Sequence, residues 1–394
     1  MSLPRRAFVS SLFLILLSFG GAVLAQSGSP VESMKLLTAN TGWAATKHEI
    51  FWTTDDGNHW KDITPPYVPR TEILSVFFLN ESDGWVVWNR RDKTSNEVSA
   101  FSLASTHNAG TDWEVNAVRI SDVDPHIVGG ARMFFLDTRH GWINFGSGGS
   151  AMSGGFIIAT ADGGKTWNHT RGGSEFEAGG RGPVVFTSSK EGWFSNGIEL
   201  FVTHDGANTW HRVSLKAPPE AGGAVYAGYD LPSFSDARHG YLPVTFLGAD
   251  APSVLVLFRT DDSGKTWKLD RIVPDLQDTG QGQPIPSTMA DGVLITIGGA
   301  TAAHSSLAQV NGDGKIVRSK EIGSGLSALS FSSPLHGWVI SGISQLLRTA
   351  DRAATLTDIT PPMTEKERKR FGRYAAPGFD SLGEGAAPPP GLGG

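Results

Sequence analysis

The chain of 394 residues contains no cysteine. Disulfides, thiolate nucleophiles, cysteine-based zinc sites and a lipid-anchored cysteine are therefore all excluded. Tyrosine is scarce, at five residues, and only 18% of the chain is charged. The net charge of −6 comes without a basic block, which argues against a nucleic-acid partner. Beyond the first 25 residues nothing is long and apolar enough to span a membrane, so any membrane association of the mature chain is peripheral at most.

That N-terminal exception, "MSLPRRAFVSSLFLILLSFGGAVLAQ", has Arg5 and Arg6, an apolar run, and small residues at Val23 and Ala25. It reads as a signal peptide over residues 1–25, too short for a good membrane span, and it predicts an exported protein, periplasmic or secreted. "RRAFVS" also resembles a twin-arginine export signal, and the general secretory route remains open beside it.

What the chain has is repetition. "TTDDGNHW", "THNAGTDW", "TADGGKTW", "THDGANTW" and "TDDSGKTW" end at Trp60, Trp113, Trp167, Trp210 and Trp267. Each has Thr seven residues before its Trp, and four have Asp five before it: Asp55, Asp162, Asp205 and Asp262. Asn108 takes that place in the second copy. A catalytic loop is needed once, whereas five copies mark a part of the architecture. A second motif interleaves with the first. Gly precedes Trp43, Trp85, Trp142, Trp193 and Trp338, and also Tyr241, with a large apolar residue seven positions before each aromatic.

One unit, such as "SVFFLNESDGWVVW" followed by "SAFSLAST" and "WEVNAV", alternates like four short strands joined by Gly/Asn/Asp turns. The 97-residue step from Tyr241 to Trp338 is about twice the others and predicts a degenerate unit in "STMADGVLITIGG" and "SLAQVNGDGKIVRSKEI". The expected fold is all-β: a seven-bladed β-propeller of four-stranded antiparallel blades over residues 31–362. "DITPP" at Asp62–Pro66 and Asp358–Pro362 marks the last strands of the first and final blades. Residues 363–394, charged and then Pro/Gly-rich, are expected to form a disordered tail.

The phrase T-x-D-x-G-x-T-W resembles the Asp-box, or bacterial neuraminidase repeat (BNR), of sialidase-like propellers. Joined to F-x6-W with Gly before Trp, it resembles the photosystem II assembly and stability factor family over roughly residues 34–360. That resemblance implies an exported propeller that chaperones a membrane complex, with the Asp-box turn between the outer two strands of each blade and away from the functional face.

The Asp-box residues Asp55, Trp60, Trp113, Asp162, Trp167, Asp205, Trp210, Asp262 and Trp267 have a structural reading. The carboxylate accepts backbone N–H groups within its turn, and the indole packs in the blade. His140, His239 and His336 precede Gly in equivalent turns of separate blades and cannot converge on one ion, so no metal and no cofactor is expected. Individuality lies instead in the connections between blades, which offer Asp122, Asp124, Glu175 and Glu177, together with Arg70, Arg132 and Arg181 near the inner strands. Arginines on one rim suit carboxylate or backbone recognition on a protein partner.

The expected function is a monomeric, non-catalytic scaffold or assembly factor that binds a protein in the cell envelope. The alternative is a sialidase-like glycoside hydrolase acting on extracellular glycans, with Tyr226 or Tyr229 paired to Glu220 as nucleophile. Against it, no arginine occurs between Arg6 and Arg70, where a sialidase places its first.

Overall fold

A computed structural model describes residues 30–364 except 67–71, 92–93, 95–97, 120–127, 148–154, 171–181, 222–223, 237, 249–253, 274–285, 290–291, 298–304, 312–314, 320–321, 323–324, 342–343 and 363. The expected signal peptide and tail lie outside the described residues. All the strands pair antiparallel, and each sheet is built from one contiguous stretch of chain. The first sheet contains β1 (Ser33–Leu36), β2 (Gly42–Ala45), β3 (Ile50–Thr53) and β4 (Lys61–Asp62). The next contains β5 (Ile73–Phe78), β6 (Gly84–Arg91), β7 (Val98–Thr106) and β8 (Glu114–Val118). β9 (Val128–Phe135), β10 (Gly141–Ser147), β11 (Phe156–Thr160) and β12 (Asn168–His169) follow, then β13 (Val184–Phe186), β14 (Gly192–Ser195), β15 (Leu200–Thr203) and β16 (His211–Val213).

The sheet after these departs from the pattern. β17 (Ala224–Tyr229) and β18 (Ser233–Phe234) both pair with β19 (Gly240–Gly248), which continues to β20 (Val254–Thr260) and β21 (Lys268–Val273). β22 (Pro286–Met289), β23 (Gly292–Ile297), β24 (Ser306–Asn311) and β25 (Ile316–Arg318) form the degenerate unit. β26 (Leu326–Phe331), β27 (Gly337–Ser341), β28 (Leu346–Thr349) and β29 (Thr357–Asp358) complete the set.

The architecture is a β-propeller of four-stranded antiparallel blades, and the expectation of seven such blades needs correction. Six sheets are four-stranded, and the other has five strands because its inner edge is split into β17 and β18. The split follows from two prolines. Pro232 sits in the break, and Pro243 on β19 has no N–H to offer, so its carbonyl only accepts from the Asp230 N–H at 3.3 Å.

The buried apolar side chains lie between consecutive sheets. Trp85 of β6 stacks on Phe135 of β9 with centroids 3.8 Å apart, and Trp142 of β10 on Phe186 of β13 at 3.5 Å. The Gly before each Trp has a steric reason. Phe78 pairs in register with Gly84, and a Cβ there would come within 2.4 Å of the phenyl ring. The ring can lie across the strand only where the side chain is absent.

Closure is made without strand exchange: β1 and β26 belong to different sheets whose strands are each contiguous in sequence. Val31 N–H donates to Ser344 C=O at 3.0 Å and Leu36 N–H to Ser330 Oγ at 2.9 Å. Asp56 binds three side chains of the last sheet. Its Oδ1 accepts from Trp338 Nε1 at 2.8 Å, its Oδ2 meets His336 Nε2 at 2.8 Å, and its carbonyl accepts from Arg348 at 2.8 Å.

Candidate functional site

The repeated phrase forms one geometry wherever it is described. In "TADGGKTW", Thr160 Oγ1 donates to Asp162 Oδ1 at 2.8 Å and accepts from Gly164 N–H at 2.9 Å. Asp162 Oδ1 also accepts from Thr166 N–H at 2.9 Å, and Oδ2 from Thr166 Oγ1 at 2.6 Å. The same bonds recur at Asp205 and Asp262, and again at Asp351, a further copy in which Leu356 stands in place of Trp. In the first copy His59 Nδ1 replaces the hydroxyl and meets Asp55 Oδ2 at 2.5 Å. In the second, Asn108 Oδ1 accepts from Asp112 N–H while its amide donates to Asp112.

Each turn lies between the third and fourth strands of its sheet and presses on the preceding sheet. Gly164, at φ +96°, sits against Leu103 of β7, and Gly264 against Trp193 of β14. The indoles extend the contact. Trp60 Nε1 donates to Ile359 C=O and Trp113 Nε1 to Ile63 C=O, both at 2.8 Å, while Trp167 bonds within its own turn to Gly164 C=O. Trp210 is buried, and Trp267 packs against Phe234 with centroids 6.2 Å apart.

Burial would raise the Asp162 carboxyl, but the hydrogen bonds from Thr166 and Thr160 outweigh it and hold the group at about 2. A depressed carboxyl pKa adds stability that is present above the unfolded value near 3.8 and fades as pH falls toward 2. Asp162→Ala should therefore cost about 1 kcal/mol in urea unfolding at pH 7 and much less at pH 2. An equal cost at both would show that the ionised carboxylate is not what matters.

His140 and His239 pair with the carboxylates of their own turns, Asp137 at 2.9 Å and Asp236 at 2.7 Å, whereas His336 reaches the Asp56 seam. Among the described residues no three His, Asp or Glu side chains gather as a metal site would need.

The opposite end of the sheets carries the starts of the inner strands and the turns between second and third strands. Four charges from three consecutive sheets meet there. Glu32 precedes β1, Lys47 lies in the β2–β3 turn, Glu72 precedes β5, and Arg132 is on β9. Burial raises the Glu32 carboxyl, Lys47 pulls it down, Glu72 pushes it up and Arg132 pulls it down, so Glu32 lies within reach of all three charges. Ile73 N–H donates to Lys47 C=O at 2.7 Å, and Glu72 N–H to the buried Asn89 Oδ1 at 3.0 Å. The Arg132 guanidinium donates to Ala131 C=O at 3.0 Å and keeps an exposed edge.

Farther around the same face, Ile198 in the β14–β15 turn is 63% exposed and Tyr226 on β17 is 57% exposed. Gly197 C=O accepts from Tyr229 N–H at 3.1 Å and so ties the two segments together. Balanced charges beside exposed aliphatic and aromatic surface form the mixture found in protein contacts.

Of the sequence candidates, Arg132 takes part in this cluster. Arg70, Arg181, Asp122, Asp124, Glu175 and Glu177 lie outside the described residues. Tyr229 is buried, and its hydroxyl accepts from Leu215 N–H at 3.1 Å. Glu220 is exposed on a short 3-10 turn and shares no hydrogen bond with Tyr226 among the described residues. Sequence reasoning missed Glu32, Lys47 and Glu72. Their signal was available in their positions, just before an inner strand or at the tip of an inner hairpin.

Fold and face together define a β-propeller with a mixed polar and apolar rim around its axis. Solved structures similar to it include "YCF48 bound to D1 peptide", at 17% identity and TM-score 0.52 over 82% of this chain and 94% of that one. YCF48 from Cyanidioschyzon merolae is similar at 15% identity and TM-score 0.53, covering 82% of this chain and 96% of that one. The GH74 xyloglucanase from Xanthomonas campestris is similar at 12% identity and TM-score 0.55, covering 85% of this chain but only 54% of the enzyme. No family model and no curated protein matches the chain. At these identities the likeness is one of fold.

Proposed function

We propose that this chain is an exported, non-catalytic propeller of the Asp-box type, related to the photosystem II assembly factors. In this reading it binds a protein segment and so assists assembly of an envelope or membrane complex. The observation that carries the reading is the cluster of Glu32, Lys47, Glu72 and Arg132 on an exposed face that also presents Ile198 and Tyr226. The fold likeness to a YCF48 structure bound to a D1 peptide supports a peptide-binding use of such a propeller. The fold likeness to a GH74 xyloglucanase suits a hydrolase as well, and it is the candidate nucleophile pair that weighs against that reading. The Tyr229 hydroxyl is engaged by Leu215, and among the described residues the exposed Glu220 shares no hydrogen bond with a tyrosine.

Affinity capture from the host envelope with the mature chain tests the reading. One specific partner should be recovered and then lost, by about tenfold or more, on combined Lys47→Glu and Arg132→Glu. Capture unchanged by the double reversal removes this face from the function. Turnover of an aryl glycoside, abolished by Glu220→Gln, would replace the scaffold with an enzyme.

A further inference from the structure

Inner-strand side chains alternate. Leu36, Phe78, Phe135 and Phe186 are buried between sheets, while the residues that alternate with them on these inner strands keep solvent contact. At the position just before each of these markers stand Lys35 on β1, Phe77 on β5, Phe134 on β9 and Val185 on β13. They share one register, opposite Trp43, Trp85, Trp142 and Trp193 respectively. Phe77 and Phe134 meet edge to face with centroids 5.5 Å apart. The wall therefore runs from an ammonium through two phenyl rings to an isopropyl group.

On the next sheet Ser233 holds that register, opposite Tyr241, and a carboxyl stands two levels beyond it. Asp230 lies in the break between β17 and β18, opposite Pro243, the level that Arg132 holds opposite Asn144 on β9. The backbone fixes it firmly: Asp230 N–H donates to Pro243 C=O, and the preceding Tyr229 C=O accepts from Ser195 Oγ at 2.6 Å. Among the described residues the Asp230 carboxyl has no hydrogen-bond or ionic partner, and neither has the Lys35 ammonium. Burial raises the Asp230 carboxyl to about 7, so its charge is costly to keep, whereas Lys35, though its ammonium is lowered by burial of its stem, is exposed at the channel wall. A buried, unpartnered carboxyl and an accessible, unpartnered ammonium, held on rigid strands on either side of an apolar wall, are an arrangement that a ligand of complementary charge would complete.

We propose that the axial channel is a peptide-binding site for a segment carrying an acidic and a basic side chain separated by apolar residues. The acid meets Lys35, the apolar residues lie on Phe77, Phe134 and Val185, and the base meets Asp230. This deepens the scaffold reading and rests on it, since it specifies the segment that the partner supplies.

A random hexapeptide display library panned against the full mature chain at pH 8 tests it. Enriched sequences should pair an acid and a base across apolar residues. Lys35→Gln should remove the preference for the acid and Asp230→Asn the preference for the base, each weakening an enriched peptide by about tenfold. The double exchange Lys35→Glu with Asp230→Lys should enrich peptides of inverted charge order. Lys190→Gln, on the opposite face, should change nothing. Matching melting curves for Lys35→Gln, Asp230→Asn and the parent, or higher melting for the variants, show that folding is retained. No enrichment, or enrichment indifferent to both variants, overturns the site. If the envelope partner is still captured by both channel variants but lost on reversal of Lys47 and Arg132, the channel proposal falls and the scaffold stands. If the library result holds while capture fails, the converse is true.

Discussion

At pH 8, Asp230→Asn is expected to melt a few degrees above the parent protein, and by pH 4 the two should nearly coincide. The folded chain holds this carboxyl at about 7, against an ordinary value of 3.8, because burial disfavours its charge. Between those values the folded state keeps a proton that the unfolded state releases, so stability falls as pH rises through the window. The penalty is complete above about pH 7 and absent well below 3.8. Its ceiling is about 4 kcal/mol, and water in the channel reduces it, so a gain of about 2–3 kcal/mol is expected for the neutral amide. For a chain of this size that amounts to several degrees. The group is not half of a strong ion pair: Arg132 shares its level and Lys35 stands two residues lower, yet neither is bonded to it. Differential scanning calorimetry across pH 4–8 decides the matter. A variant that melts lower at pH 8 would mean that the carboxylate has a partner.

Asp56→Ala should be the most damaging single change to a carboxylate in this propeller. It removes the acceptor for Trp338 Nε1 and for His336 Nε2, and it weakens the hold on Arg348. The indole of Trp338 is fully buried, and the side chains of Arg348 and His336 are about 20% exposed. Stranding a buried indole N–H and the His336 ring nitrogen beneath the seam costs about 3 kcal/mol, against about 1 for Asp162→Ala, whose turn is more exposed. Asp56 also adopts φ 59°, a conformation asparagine tolerates well. Asp56→Asn should therefore keep the Trp338 bond and lose less than half as much. Urea unfolding of the three variants tests the order, and hydrogen exchange should show β1 and β26 opening first in Asp56→Ala. An Asp56→Ala protein as stable as Asp162→Ala would mean that the seam is no weaker than any other junction.

Much of this fold was legible because it is written in local repeats. Phe78 and Gly84 are six residues apart and pair directly, and Thr160, Asp162 and Thr166 close a turn within seven residues. Such spacing appears in a single sequence. The degenerate unit was found by counting, and its two hairpins pair as expected. The split inner edge at Asp230–Pro232 was not foreseen, although Pro232 and Pro243 were its visible cause. The seam was beyond reach for a different reason: Asp56 and Trp338 are 282 residues apart, and nothing local in "TTDDGNHW" marks its second aspartate as the one that crosses. The charged cluster around Glu32 has the same character, drawing four residues from three sheets that share no sequence pattern. Lys35 could have been found, as the charge at a position where other units carry Phe, Val or Ser.

The contiguity of each sheet has a consequence for how the chain acquires its structure. Every sheet draws on roughly 30 to 50 consecutive residues, so its hydrogen bonds can form as those residues become available, in order from the N-terminus. Contacts between neighbouring sheets are also near in sequence, which keeps loop-closure costs small. Only the junction of first and last sheets must await the whole chain. Until then Leu36, Met34 and Ala44 on one side, and Trp338, Ile340 and Leu346 on the other, face water as two uncovered apolar edges. The intermediate most exposed to aggregation is thus an open arc, complete in its secondary structure and one docking event short of native.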